Sequence, residues 1–315
     1  MAFYVLRKFL FFVLAVLLAS ILIFLLIRAA GGNVASVILG KNATVEAIEA
    51  LMAEFGFDRP LSVQYFDWIG GLLQGDFGKS FLTKEPVLDM VLERLSVSVP
   101  LALGGLLLAL LIAIPLGTYA ARDVGTPFGT LLTLTSQIGI AVPVFWAGML
   151  LSVLFGVKLG WLPTGGWVAW SDDWLGALRS MVLPVLALGL ILSAGLIRFV
   201  RSAVLDVMNH DYVRTARAFG MTRSEALLQV GLRNAALPIV TVVGLQVAEL
   251  IGGAVVIEMV FSLPGIGRLI VTNVAAREVI VVQSTVMMVI VFVIFVNFMV
   301  DMLYGLLDPR VRHAV

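Results

Sequence analysis

The chain has 315 residues, 61% of them hydrophobic and only 13% charged, with a net charge of +1. A soluble domain carries about 25% charged residues, and repeated apolar runs of about 20 residues are membrane spans, so the sequence reads as an all-α polytopic membrane protein. Bulk charge this close to neutral implies no nucleic-acid partner, and the lack of cysteine excludes disulfides, Cys-ligated metals and thiol catalysis.

Six spans are predicted in chain order. The first is Phe9–Ile27, which follows Arg7 and Lys8. Its apolar core is longer than the 7–15 residues of a signal-peptide core, which predicts an uncleaved anchor. The others are Val99–Ala121, Phe128–Phe155, Met181–Ile197, Ala235–Val260 and Val279–Leu303. Pro100, Pro115, Pro143, Pro184 and Pro238 are compatible with membrane helices, where neighbouring groups re-satisfy the freed backbone.

Orientation follows from Lys and Arg beside the spans. One side receives eleven: Arg7, Lys8, Arg122, Arg198, Arg201, Arg214, Arg217, Arg223, Arg233, Arg310 and Arg312. The other receives six even when Arg28 and Arg94 join Lys158, Arg179, Arg268 and Arg277. Both termini and the loop of about 198–234 are therefore expected in the cytoplasm. The chain divides into 1–28, with the N-terminal end and first span, 29–98, an external amphipathic segment, and 99–315, a five-span core.

The external segment predicts three helices. "TVEAIEALMAEFG" places Val45, Ile48, Met52 and Phe55 on one face. "RPLSVQYFDWIGGLLQ" opens a second at Pro60, a favoured first helical position, and offers Tyr65, Phe66 and Trp68 to a membrane interface. "EPVLDMVLERL" suggests a third. These helices fit a cap over the span ends or a docking surface for an external partner. Two further outer pieces are "FSLPGIGRLIVTNVAARE", a turn then a helix, and "WLPTGGWVAWSDDW", whose tryptophans suit a membrane boundary.

"GDFGKS" ends like a phosphate-binding loop, G-x-x-x-x-G-K-[ST]. Five residues before Gly78, however, stands Leu73, where the first glycine is required. Lys79 is also placed outside, away from ATP. The chain is thus expected to hydrolyse no ATP itself. His210 and His313 are too far apart to form a metal pair, and no nucleophile–base pair lies within the spans, so no catalytic or metal site is predicted.

The loop "DYVRTARAFGMTRSEALLQVGLRNAALP" is more organised than a solvated connection. Asp211 is a good N-cap, and Tyr212, Val213, Ala216 and Phe219 recur at helical spacing. Gly220 suits the left-handed position that ends a helix. Thr222 and Glu225 then form a capping-box pattern for a second helix. The pattern predicts helix, glycine turn, helix, with Arg214, Arg217, Arg223 and Arg233 exposed, and Thr215, Ala216 and Ala218 small enough for close approach by another surface.

This stretch resembles the loop of ABC importer permeases, in particular the dipeptide/oligopeptide/nickel branch, which reads Tyr-Val-Arg-Thr-Ala-x-Ala-x-Gly and later Leu-Arg-Asn-Ala. The chain has Tyr212-Val213-Arg214-Thr215-Ala216-Arg217-Ala218-Phe219-Gly220 and Leu232-Arg233-Asn234-Ala235. It departs from the wider Glu-Ala-Ala-x3-Gly-x9-Ile-x-Leu-Pro pattern. Arg214 stands for the Glu, Thr215 for the first Ala, and Leu237-Pro238 come five residues late. Phe219 replaces a Lys common in the branch. "DRPLSVQYFDWIGGLLQGDFGKS", "EMVFSLPGIGRL" and "LLDPRVR" extend the resemblance over the whole chain.

The resemblance implies a permease with six transmembrane helices of the ABC type I importer kind, in the cytoplasmic (inner) membrane of a bacterium or archaeon. It implies a second homologous permease subunit, as hetero- or homodimer, two cytoplasmic ATPase subunits carrying ATP and Mg, and an external substrate-binding protein. The loop would sit in an ATPase groove, and substrate would move inward by alternating access. Dipeptide, oligopeptide, glutathione, nickel-chelate and opine importers all fit.

Ionisable residues inside spans usually face the bundle interior or a water-filled path. Glu249, Glu258 and Asp301 are such residues, with Gln137, Gln246, Gln283 and Asn297 as polar companions. Gln246 and Glu249 are three apart on one helix face. They, with Asn297, are the candidates for a translocation path, or alternatively for helix–helix hydrogen bonds with a partner permease. A different class of function, a self-sufficient secondary transporter or channel, would often show an internal repeat, and none is apparent in the sequence.

Overall fold

The computed structural model describes residues 2–30, 44–54 and 56–307. Phe55, Arg310, Arg312 and His313, and positions 308–312 of the closing Leu-Leu-Asp-Pro-Arg-Val-Arg motif, lie outside the described residues. The described chain is helical, with a single isolated antiparallel bridge between Lys79 and Pro86.

The elements in order are α1 (Ala2–Ala30), α2 (Val45–Glu54), α3 (Leu61–Leu73), α4 (Val87–Arg122), α5 (Pro127–Ala141) and α6 (Val144–Leu151). A π-helical stretch, Ser152–Lys158, prolongs α6. Then come α7 (Trp174–Met208), α8 (Asp211–Ala218), α9 (Arg223–Ala226), a second π-helical stretch at Leu227–Gly231, α10 (Leu232–Val260), α11 (Ile266–Ala275) and α12 (Val279–Leu307).

Four of these are long and apolar enough to cross a membrane as single helices, namely Phe3–Ala29, Val87–Arg122, Trp174–Met208 and Val279–Leu303. The count reaches six if each of two bent pairs is one span. The predicted third span is one of these pairs, bent by 99° between α5 and the α6 stretch. Pro143 explains the break. The residue before a proline is pushed out of the helical region, and Val142 is extended at φ −81°, ψ 120°. The other pair, 223–231 with 234–244, bends by 55°. Pro238, expected at the start of the fifth span, lies inside α10.

The predicted third external helix is not separate. Its residues form the first turns of the 36-residue α4, which carries Pro100 and Pro115 internally. The fourth span likewise runs far beyond Met181–Ile197, so Arg198 and Arg201 lie on a helix rather than in the loop. Pro60 caps α3 rather than opening it, a one-residue difference of the kind helix ends allow.

Contacts divide the chain into two units. One comprises Ser98–Leu263 with the residues from Val296 onward. Its centre is α7, whose buried residues recur along most of its length from Ala177 to Val207. Glycine lets α4 meet α7 closely. A Cβ on Gly117 would come within 2.9 Å of the Ile197 carbonyl oxygen and 2.7 Å of Val200, the close approach that small residues permit between membrane helices. The tryptophan-rich loop is tied down here as well. Gly166 N–H donates to the Phe261 carbonyl at 2.8 Å, and Ser152 Oγ donates to the Thr164 carbonyl at 3.0 Å.

The other unit comprises Ala2–Val97 with Pro264–Phe295. In it α3 lies against the C-terminal half of α1. Tyr65 OH and Ser20 Oγ are 2.8 Å apart, and the Tyr65 ring meets Phe24 edge-on. The loop after α3 is held by Glu278, a buried carboxylate that accepts from Ser80 Oγ, Phe81 N–H and Leu82 N–H.

Candidate functional site

The loop after α7 is built as its sequence predicts, with one shift. His210, not Asp211, occupies the N-cap of α8. Asp211 is the first helical residue and pairs with Arg214 at 3.4 Å, where an acid suits the positive end of the helix dipole. At the far end Gly220 adopts φ +96°. Its N–H donates to the Arg217 carbonyl at 3.0 Å, and Met221 N–H reaches back to the Ala216 carbonyl at 3.3 Å. Those two bonds are the Schellman ending. Nothing lies within 4 Å of a Cβ built on Gly220, so the glycine is there for its backbone and not for lack of room.

The next helix starts two residues later in a complete capping box. Thr222 Oγ1 accepts from Glu225 N–H at 3.2 Å, and the Glu225 carboxylate accepts from Thr222 N–H at 2.8 Å. Hydrogen bonds from the Thr222 N–H, and then from its hydroxyl, hold the Glu225 carboxyl below the usual carboxylate range. After Ala226 the helix widens to a π-helical stretch, which leads directly into α10 with the 55° bend between 223–231 and 234–244. Such wide turns occur often at functional sites.

Burial divides the loop into two faces. Val213, Ala226, Leu227 and Ala235 are buried with Val200, Val204 and Val207 of α7 in one apolar cluster. The expected apolar face of α8 is therefore only partly inward. Val213 is buried and Ala216 half-buried, whereas Tyr212 is exposed and Phe219 is 86% exposed. Arg214, Thr215, Arg217, Gly220, Arg223 and Glu225 are also exposed. Thr215 Oγ1 is used within its own helix, donating to the Asp211 carbonyl at 2.9 Å. The outcome is an inwardly anchored corner that shows three arginines, one tyrosine and one phenylalanine to the outside. The Arg233 side chain lies outside the described residues.

The polar residues of the spans separate. Gln246 is buried and lies against α7, its Nε2 3.9 Å from where a Cβ on Gly195 would stand. Its Oε1 has no partner among the described residues. Glu249, three residues on, is exposed on the surface of α10. Gly252 follows on the same face, also exposed, with nothing within 4 Å of a Cβ built on it. Asn297 is half-buried on α12. Glu258 is buried and accepts from Ser98 Oγ, which accounts for the carboxylate half a turn out of phase with Glu249.

The segment resembling a phosphate-binding loop has another use. Ser80 spends its hydroxyl on Glu278, and a Cβ on Gly78 would strike Ile280 at 2.6 Å. A buried carboxylate beside Ser80 repels phosphate instead of cradling it. This clamp escaped the sequence reading, because Ser80 and Glu278 are 198 residues apart.

Comparison with known proteins agrees with this layout. Residues 113–313 match the family model of the binding-protein-dependent transport system inner membrane component, and residues 1–102 match that of its N-terminal part. The chain is 39% identical over 297 residues to a putative peptide transport system permease protein of Brucella abortus, covering 94% of this chain and 95% of that protein. It is 36% identical to the oligopeptide transport system permease protein AppB of Bacillus subtilis, covering 99% of this chain and 100% of that protein. It is 37% identical to the glutathione transport system permease protein GsiC of Salmonella typhimurium, covering 98% and 99%.

Proposed function

The chain belongs to the family of binding-protein-dependent transport system inner membrane components, and from that premise we propose that its two-helix loop is where an ATPase subunit drives it. The chain is the non-catalytic permease subunit of an ATP-driven importer. ATP and Mg belong to the partner ATPase subunits in this reading, and a second permease and an external substrate-binding protein complete the assembly. The names of the relatives support a peptide or a related small solute as cargo. The arginine asymmetry supports a cytoplasmic loop and cytoplasmic termini.

One observation carries the reading of the loop. Its inner face is buried against α7 while Tyr212, Arg214, Arg217, Phe219 and Arg223 remain outside. A phenylalanine 86% exposed beside three arginines is the composition of an interface anchor, since aromatic residues and Arg are enriched in interfaces. A push on this corner has two routes inward. One is the apolar cluster on α7, and the other is the bent path through the π-helical stretch into α10.

Glu249 is our candidate for the translocation path. A carboxylate at mid-span costs about 2.5–3.5 kcal/mol on insertion scales, and among the described residues Glu249 is exposed. A water-filled path at the interface with the second permease supplies what it needs. Gln246, buried against α7, supports α10 from behind.

Purification of the chain from its native membranes tests the proposal. ATPase subunits should accompany it, and vesicles holding it should accumulate substrate only when those subunits and ATP are present. Accumulation by the chain alone would favour a self-sufficient carrier.

A further inference from the structure

A cavity of about 410 Å³ opens beside the end of α1, lined by Leu25, Arg28, Met52, Phe57, Leu61 and Gln64, with Ala29. Its walls are apolar apart from two groups. The Arg28 guanidinium carbon lies 4.4 Å from the Phe57 ring centroid and 5.4 Å from that of Phe24. No carboxylate pairs with it among the described residues, and its Nε is buried without a hydrogen-bond partner. Gln64 is fixed by its amide nitrogen, which donates to the Phe57 carbonyl at 3.1 Å and the Arg59 carbonyl at 2.7 Å. Its Oε1 is left buried and unpartnered. Buried polar atoms without partners are uncommon enough to require an explanation.

The surroundings indicate what supplies the partner. Leu25 lines the cavity and is 51% exposed, on the same outer surface of α1 as Leu22 and Leu26. The cavity is therefore continuous with the side of the span that faces lipid. Arg28 stands at the C-terminal end of the Phe3–Ala29 span, the depth of lipid headgroups, and the contacts of Tyr65 with Ser20 and Phe24 hold α3 against the same half of that span. An occupant must place an anion at Arg28, a hydrogen-bond donor at Gln64 Oε1, and hydrocarbon along Leu25.

We propose that this cavity is a binding site for a phospholipid whose headgroup carries a donor. The phosphate accepts from Arg28, the headgroup ammonium or hydroxyl donates to Gln64 Oε1, and the acyl chains leave past Leu25. Phosphatidylethanolamine and phosphatidylglycerol satisfy both polar groups. Phosphatidylcholine, with no donor, leaves Gln64 Oε1 unpaired. The lipid then ties α2 and α3 to the end of the first span.

The test is native mass spectrometry of the whole transporter, purified in mild detergent and exchanged into phosphatidylcholine-containing micelles. One phosphatidylethanolamine or phosphatidylglycerol should remain per copy of this chain. Titrating each lipid back should show saturable binding of those two and not of phosphatidylcholine. Arg28→Gln should weaken binding about tenfold, the scale of one charge-assisted hydrogen bond. Leu25→Trp, which fills the cavity without touching its polar groups, should also lose the lipid. A wild-type complex that emerges without phospholipid, phosphatidylcholine binding as well as the other two, or full retention by either variant would overturn the site.

Discussion

Glu278 and Ser80 are joined by a 2.8 Å hydrogen bond across 198 residues of sequence, and the same carboxylate accepts from the N–H groups of Phe81 and Leu82. Both residues are buried, Glu278 at 2% and Ser80 at 2% exposure. The carboxylate thereby satisfies the turn that follows α3, next to the apolar pair Phe81 and Val279. Hydrogen bonds to a charged group contribute about 1.5–3 kcal/mol each. Glu278→Ala should therefore lower the thermal unfolding temperature of the detergent-solubilised transporter clearly. Glu278→Gln, which keeps one acceptor oxygen, should fall between that variant and wild type. A melting curve unchanged by Glu278→Ala would show that the clamp contributes nothing.

Topology is tested at Ser224, exposed on α9. The chain has no cysteine, so a single introduced one reports cleanly. Ser224→Cys should resist a membrane-impermeant thiol reagent in intact cells and react once the membrane is opened. Labelling from outside would invert the proposed orientation.

Glu249 is exposed on α10 while Gln246, three residues earlier, is buried. Glu249→Gln removes the charge and keeps the shape. Uptake should fall, or discrimination between cationic and neutral peptides should change, while the ATPase subunits still co-purify. Gln246→Leu should instead act through packing and lower the melting temperature with little change in selectivity. Normal uptake and unchanged selectivity in Glu249→Gln would remove Glu249 from the path.

What the sequence disclosed, and what it hid, follows the range of each interaction. The Gly220 ending and the Thr222–Glu225 box involve neighbours within five residues, so their residue types announce them. The exposure of Phe219 could not be read, because helical spacing gives a phase but does not say which face is covered. Ser98–Glu258, Ser80–Glu278 and Gly166–Phe261 join distant segments, and no local pattern marks either partner. Hydropathy placed the apolar runs. The break at Val142 was signalled by Pro143, but a proline inside an apolar run fits a straight span as readily as a bent one, as Pro100, Pro115 and Pro184 inside long helices demonstrate.

The central claim is that the corner at Gly220 holds the ATPase. A Cβ there meets no atom within 4 Å, so a substitution acts only through the backbone at φ +96°. A β-branched residue is strongly disfavoured in that region, at a cost on the order of 1–3 kcal/mol, whereas asparagine visits it readily. The deciding measurement is the amount of ATPase subunit recovered per permease from membranes carrying Gly220→Val or Gly220→Asn, with the membrane level of each variant as the reference. The account predicts that Val loses most of the ATPase while Asn retains it near the wild-type ratio. Full recovery with Val at a normal membrane level would contradict it.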